Sequence, residues 1–357
     1  MSKLSALDKW KYEFESELII KGGFILEKFN YLPEIAKLGH VALITSDLEK
    51  SLWFFKEVVG LEETEEENGV HYLRAWGDFE HHTLSLKAGP EARVEHIAWK
   101  AKRREDVNNF AVLLEEAGVE VTRIEAGVEK GQGESIRFQL PSGHNFEIYF
   151  DMEKTKADTE RKAALKNQTY KAWRKGISPR RIDHVNIGTN ADPNVVINFL
   201  SEKLGFKIRE YIKAPQDGMM GAWMSVTPLV HDIAVMGDPR FNSAHELHHL
   251  AYWSDNAQDI LRAADILSEN GIKFIGPGKH GISQALYVYV MDPGSGVRLE
   301  LFSNGYLIFE PDWEPIEWTL EEMELGFTYW GEQAGANPEE QELTVNAGPA
   351  KATVINE

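Results

Sequence analysis

Two stretches of this chain decide its fold: VEHIAWKAKRREDVNNFAVLLEEAGVEVTRIEAGVEKGQGESIRFQLPSGHNFEIYF at residues 94–150, and LHHLAYWSDNAQDILRAADILSENGIKFIGPGKHGISQALYVYVMDPGSGVRLELF at residues 247–302. Each reads as strand, helix, AG or NG turn, strand, loop, strand, PSG or PGSG turn, strand. The opening His-Ile-Ala or His-Leu-Ala alternates with a strand period, and the following residues carry apolar side chains at helical spacing. The same interval separates His96 from His249 and Glu147 from Glu300. Working outward, LGHVALITSDLEKSLWFFKEVVGL at 38–61 matches IDHVNIGTNADPNVVINFLSEKLGF at 182–206. Both give a strand, an Asp-containing turn that can cap a helix, an amphipathic helix and a Gly exit. Repeats of this length indicate one structural unit written several times. The expected fold is α+β: four βαβββ modules, near 36–88, 92–152, 180–240 and 245–305, paired into two domains that each form an incomplete barrel.

The domains are expected at 36–152, non-catalytic, and 179–330, catalytic and metal-binding. Between them 153–178 is charged and helix-compatible, a linker helix. Residues 1–35 are expected to form a helical arm, and 331–357, rich in Gln, Glu, Ala, Asn and Gly, a weakly ordered acidic tail.

Composition narrows the chemistry. The 357 residues are 43% hydrophobic and 27% charged, enough apolar content for folded cores. Zero cysteine excludes disulfides, thiol nucleophiles, thiolate zinc and iron–sulfur clusters, so a metal here is held by His and carboxylates. A net charge of −19 without a basic face argues against nucleic acid. The start, MSKLSALDKWKYEFESE, reads as neither signal peptide nor anchor, and no stretch approaches a membrane span, which points to a cytoplasmic protein.

Three residues occupy equivalent strand positions in the second domain: His184 in RIDHVNI, His249 in LHHLAYW and Glu300 in VRLELF. Two imidazoles and one carboxylate bind a divalent first-row metal on one face and leave the opposite positions open. A histidine that begins an apolar strand is ordinarily a packed structural residue, and a Glu near a strand end ordinarily faces solvent. Repetition changes the weighing. The three sit at matched points of repeated modules, a module-pair barrel turns such positions inward, and an inward Glu is costly unless paired or metal-bound.

The run DHV, LHHLAY, ILRAADIL, IGPGKHG, YVYVMDP and RLELF resembles the type I extradiol catechol dioxygenases of the vicinal oxygen chelate superfamily, over about Gly39 to Trp318. The C-terminal half is the specific part; the N-terminal half resembles the family mostly through its module pattern. The resemblance implies Fe(II), with Mn(II) possible, at His184, His249 and Glu300. Strand parity then leaves His248 pointing the other way. By the same comparison His231 in PLVHDIAV is the acid–base histidine, His280 in GKHG a second active-site histidine, Tyr289 rather than Tyr287 the active-site tyrosine, and Trp223 a cavity residue. The implied reaction inserts both atoms of O2 into catechol or alkylcatechols to give 2-hydroxymuconic semialdehydes. A homo-oligomer, a tetramer, is also implied. Relatives that cleave homoprotocatechuate carry an arginine shortly before the GPG-x-HG stretch, where Ile275 stands here, and a second near the segment that here reads LGFTYWG. Apolar Ile275 cannot offset burial of a carboxylate, so uncharged ring substituents are expected.

The first domain has His40, His96 and Glu147 at the corresponding places, with His82 opposite His231. No histidine lies between His96 and His144 to match His280, and Arg137 aligns with Tyr289. That set is incomplete for catalysis, and sequence alone does not decide whether it binds a metal. Competing readings are another metalloenzyme of the superfamily (a hydroquinone or 4-hydroxyphenylpyruvate dioxygenase, or a glyoxalase-type isomerase) and a metal-free binder of hydrophobic ligands. The His280–Tyr289 pair with GPGKHG favours extradiol cleavage over the former, and the aligned triads disfavour the latter.

Overall fold

A computed structural model describes residues 31–171, 175–332 and 344–349. The first module runs β1 (Ile35–Thr45), α1 (Leu48–Trp53, extended by a π-turn over Phe54–Val58), β2 (Glu62–Glu67), β3 (Val70–Arg74) and β4 (Leu84–Ala88). The second runs β5 (Arg93–Ala101), α2 (Arg104–Glu116), β6 (Thr122–Ile124), β7 (Ser135–Gln139) and β8 (Asn145–Tyr149). The third comprises β9 (Arg181–Thr189), α3 (Pro193–Leu204), β10 (Lys207–Lys213), β11 (Met219–Ser225) and β12 (Ile233–Gly237). The fourth comprises β13 (Glu246–Ser254), α4 (Ala257–Glu269), β14 (Phe274–Lys279), β15 (Ala285–Met291) and β16 (Arg298–Asn304).

Local chemistry starts and stops the helices as the repeat implies. Asp47 accepts from the Lys50 backbone N–H ahead of α1, Asp192 from that of Asn194 ahead of α3, and Asn256 from that of Asp259 ahead of α4. Pro193 fills the first turn of α3, and Gly205 leaves it at φ 77°, a backbone angle that favours glycine.

In every module the last strand pairs in parallel with the first: β4 with β1, β8 with β5, β12 with β9 and β16 with β13. First strands of partner modules pair antiparallel, β1 with β5 and β9 with β13. The strand orders are therefore β2-β3-β4-β1-β5-β8-β7-β6 and, in the second sheet, β10-β11-β12-β9-β13-β16-β15-β14. The nested duplication is thus present in the hydrogen bonding. The second sheet gains β17 (Ile316–Trp318) beside β10 and β18 (Trp330–Gly331) beside β14, with the short α5 (Met323–Phe327) between them.

One apolar core runs through both sheets. Trp99 of β5 meets Phe206, after α3, edge-on at 4.9 Å, an arrangement that adds about 1 kcal/mol to area burial. Polar ties reinforce it: Ser51 Oγ donates to Asp292 at 2.6 Å, and the hydroxyls of Thr83 and Tyr252 lie 3.0 Å apart.

Two expectations need correction. The described residues of 153–178 form turns and isolated bridges, not a helix. They offer no apolar stripe to bury; instead Tyr170 is buried beneath the guanidiniums of Arg74 and Arg161, 4.9 and 5.3 Å from its ring centre. The C-terminal segment is ordered at 344–349, where β19 (Val345–Asn346) pairs with β13. Ala347 donates its N–H to His245 O and accepts from Asn145 N–H, both at 2.8 Å, so this segment joins the two sheets. Backbone pairing and the buried Val345 and Ala347 outweigh the polar composition around them. The expected arm at 1–35 lies outside the described residues except Tyr31 to Ile35, which lead into β1 without a helix. No helix among the described residues is long and apolar enough to cross a membrane.

Candidate metal centre and ring-binding cavity

β9 and β13 are antiparallel neighbours at the middle of the second sheet, and β16 flanks β13, so His184, His249 and Glu300 meet on one face although far apart in the chain. Their ligand-capable atoms all lie within 4.8 Å of one another. Nε2 of His184 is 3.2 Å from Nε2 of His249 and 2.9 Å from Glu300 Oε2; His249 Nε2 is 3.3 Å from the same oxygen. All three residues are buried. This donor set, two nitrogens and a carboxylate converging from one side, fits a first-row divalent ion.

The groups around the triad set its charge. Asp183 Oδ1 lies 2.9 Å from Nδ1 of His184, and Arg181 holds the other carboxylate oxygen at 2.6 Å. Burial disfavours the His184 imidazolium, but hydrogen bonds to Asp183 and Glu300 outweigh it and the pKa is pushed up to about 9. Burial likewise works against the Glu300 carboxylate, yet His249, His184 and His280 hold it well below the usual range. Burial pushes His249 down and keeps it neutral.

The triad opens into a cavity of about 340 Å³. His231, which precedes β12, packs its ring 4.0 Å from that of His184, and burial together with His184 pushes its pKa well down. Tyr289 is the residue of β15 directly across from Glu300. Its hydroxyl is 3.1 Å from His280 Nε2, which is 3.3 Å from Glu300 Oε1. Burial, then Glu300, raises the Tyr289 pKa well above the ordinary phenol value. His280 gives its Nδ1–H to the Phe327 carbonyl at the end of α5, which turns Nε2 inward. Tyr287 instead stacks on His280 at 4.1 Å and donates to the Glu332 carbonyl at 2.6 Å. Trp223 and Ile275 line the walls, with Ile212, Ile282 and Phe327. Every site residue singled out in the second domain therefore reaches this cavity.

Strand parity fails at one point. The β9–β13 register shifts between Leu247 and His249, a bulge that breaks the two-residue alternation. His248 therefore does not point away: its Nδ1 lies 2.7 Å from Nδ1 of His249, and Arg298 donates to its Nε2 at 2.5 Å. Sequence reasoning also passed over Asp183, Arg298 and Phe302. Period-two spacing with Glu300 carries the signal for the last two, since alternate residues of β16 share a face. The cavity wall is accordingly not wholly apolar; Arg298 and Arg240 both border it, the latter bonded to Asp238 at 2.9 Å.

Residues 94–153 match the family described as catechol 2,3-dioxygenase-like N-terminal domain, and 181–301 the glyoxalase/bleomycin resistance protein/dioxygenase superfamily. The manganese-dependent 2,3-dihydroxybiphenyl 1,2-dioxygenase of Geobacillus genomosp. 3 is 58% identical over 300 residues, covering 84% of this chain and 94% of that protein. Metapyrocatechase of Geobacillus stearothermophilus is 38% identical over 292 residues, covering 81% and 88%. The crystal structure of homoprotocatechuate 2,3-dioxygenase from Arthrobacter globiformis superposes with a TM-score of 0.76 at 28% identity, covering 89% of this chain and 96% of that one.

Proposed function

Because this chain belongs to the type I extradiol dioxygenases of the vicinal oxygen chelate superfamily, we propose that His184, His249 and Glu300 hold its Fe(II) or Mn(II) and that the ring it opens is catechol or an alkylcatechol. The reaction class is ring cleavage by O2. Both oxygen atoms enter the product, the ring carbon–carbon bond beside one hydroxyl breaks, and no external reductant is consumed. The observation that carries the assignment is the convergence of the triad at the floor of a cavity whose rim holds the Tyr289–His280 pair. The metal, when bound, supplies Lewis acidity that makes a catechol hydroxyl, with an ordinary pKa near 10, acidic at neutral pH.

The protein's own groups do the rest. His280, its Nδ1 committed to Phe327, offers Nε2 as the acceptor for a proton from the ring hydroxyl. Tyr289, kept protonated, donates to the ring oxygen as negative charge develops there. His231, kept neutral with its ring 4.0 Å from that of His184, would take up a proton and hand it back as the acid–base group. Trp223, Ile275 and the neighbouring apolar walls receive the ring and exclude water. Ile275, on the cavity wall, supports uncharged substituents over carboxylated ones. A homo-oligomeric assembly and a cytoplasmic location belong to the same proposal; light scattering after size exclusion tests the former.

Anaerobic reconstitution with Fe(II), and separately Mn(II), followed by catechol in air tests the reading. A yellow 2-hydroxymuconic semialdehyde supports it. A metal-loaded protein that leaves catechol, methylcatechols and 2,3-dihydroxybiphenyl intact overturns it.

A further inference from the structure

The duplication places a second cluster of donors in the first sheet. His40 on β1, His96 on β5 and Glu147 on β8 stand where His184, His249 and Glu300 stand in the second. A fourth group joins them: the ligand-capable atoms of His40, His96, Glu129 and Glu147 all lie within 4.8 Å of one another. Nε2 of His40 and Nε2 of His96 are 3.2 Å apart, the separation found between His184 and His249. Glu129 places one carboxylate oxygen 3.2 Å from His40 and the other 3.2 Å from His96; Glu147 Oε2 is 3.6 Å from His96. Ligands about 2.0 to 2.2 Å from a first-row ion stand at such distances from each other.

The two clusters differ on the side that faces substrate. Glu129 comes from the β6–β7 connection, which corresponds to the β14–β15 connection that supplies His280. Arg137 pairs across from Glu147 as Tyr289 does across from Glu300, and its guanidinium reaches both carboxylates. A fourth protein donor and a guanidinium thus close the face that the second sheet keeps open. His82 donates to Glu129 at 2.9 Å from outside the set. Gln132 also donates to Glu147, so both oxygens of that carboxylate meet a protein donor.

We propose that the first domain carries a second metal site, a closed one in which His40, His96, Glu129 and Glu147 hold a divalent first-row cation, Mn(II) or Zn(II), for structure and not for catalysis. Its outer support is thinner than that of the second-domain triad. Nδ1 of His184 meets Asp183, whereas Nδ1 of His40 and Nδ1 of His96 are buried with no hydrogen-bond partner among the described residues. Outer partners of this kind contribute about 10- to 100-fold in affinity, so the first-domain site is weaker by about that factor.

The test uses the full chain, stripped with chelator and dialysed against Mn(II) and, in parallel, Zn(II), with bound metal per chain measured by elemental analysis. The expected result is two ions per chain in two affinity classes. His249→Ala should lose the tighter class and keep the weaker. Glu129→Gln, which preserves volume, should lose the weaker class and keep catechol turnover unchanged. Saturation of the wild-type chain at one ion with both metals, and at none for a folded His249→Ala, would overturn the proposal and make the cluster an ion-pair network. The wild-type stoichiometry decides the matter even if a variant fails to fold.

Discussion

Oδ1 of Asp183 sits 2.9 Å from Nδ1 of His184, so the carboxylate takes that N–H and leaves Nε2 as the nitrogen that faces His249 and Glu300. Asp183→Asn keeps the shape but removes the charge that fixes the tautomer. Metal affinity should fall by about 10- to 100-fold, read by competition with a chelator of known strength. Unchanged affinity would remove Asp183 from the site.

His231 touches the ring of His184 without belonging to the donor cluster. His231→Ala is therefore expected to keep its full complement of metal while kcat falls by about 10²- to 10⁴-fold, the range typical of a positioned acid–base group. If the variant loses its metal instead, the assigned role is wrong.

Tyr287 and Tyr289 lie on the same face of β15 but contact different things. Tyr289→Phe removes the hydroxyl beside His280 and should slow turnover by about 10-fold or more. Tyr287→Phe loses its bonds to Thr328 and Glu332 and should act mainly on stability, by about 1 kcal/mol. Steady-state kinetics alongside urea unfolding separates the two, and equal kinetic effects would contradict the distinction.

Ile275 borders the cavity and offers no charge to a carboxylated ring substituent. The kcat/KM for 3,4-dihydroxyphenylacetate should lie below that for catechol, and Ile275→Arg should narrow the gap. Equal values in the wild-type protein would show that Arg298 or Arg240 accommodates the charge.

His144 is fully buried at the junction of the sheets, its Nε2 donating to the Glu246 carbonyl at 3.1 Å and its Nδ1 accepting from Ser142 at 2.7 Å. Burial lowers its pKa to about 4, below the ordinary 6.5. A depressed histidine pKa means that the unfolded chain takes up the proton first. Its contribution is whole above about pH 6.5 and drains away toward pH 4, by about 1.4 kcal/mol per unit. His231, His248 and His249 are pushed down as well, so the informative quantity is a difference. Between pH 7.5 and 5, His144→Asn should lose less unfolding free energy than the wild type; identical losses would refute this.

The amino-acid sequence by itself determined the repeated module, the pairing of modules and the positions of His184, His249 and Glu300. Strand alternation, Asp caps and Gly exits are local, and duplication writes the same local instruction at matched points. Tertiary packing decided what depends on neighbours far along the chain. A bulge in β13 turned His248 toward His249, and Glu129 reached the first-domain cluster from a loop with no periodic signal. The described residues of 153–178 stayed out of a helix because no apolar stripe gave one a face to bury, and the strand at Val345–Asn346 formed because β16 leaves the Glu246–Leu247 end of β13 free on that side. Such choices turn on which backbone groups and side chains meet after the sheets have closed, which no window of sequence contains.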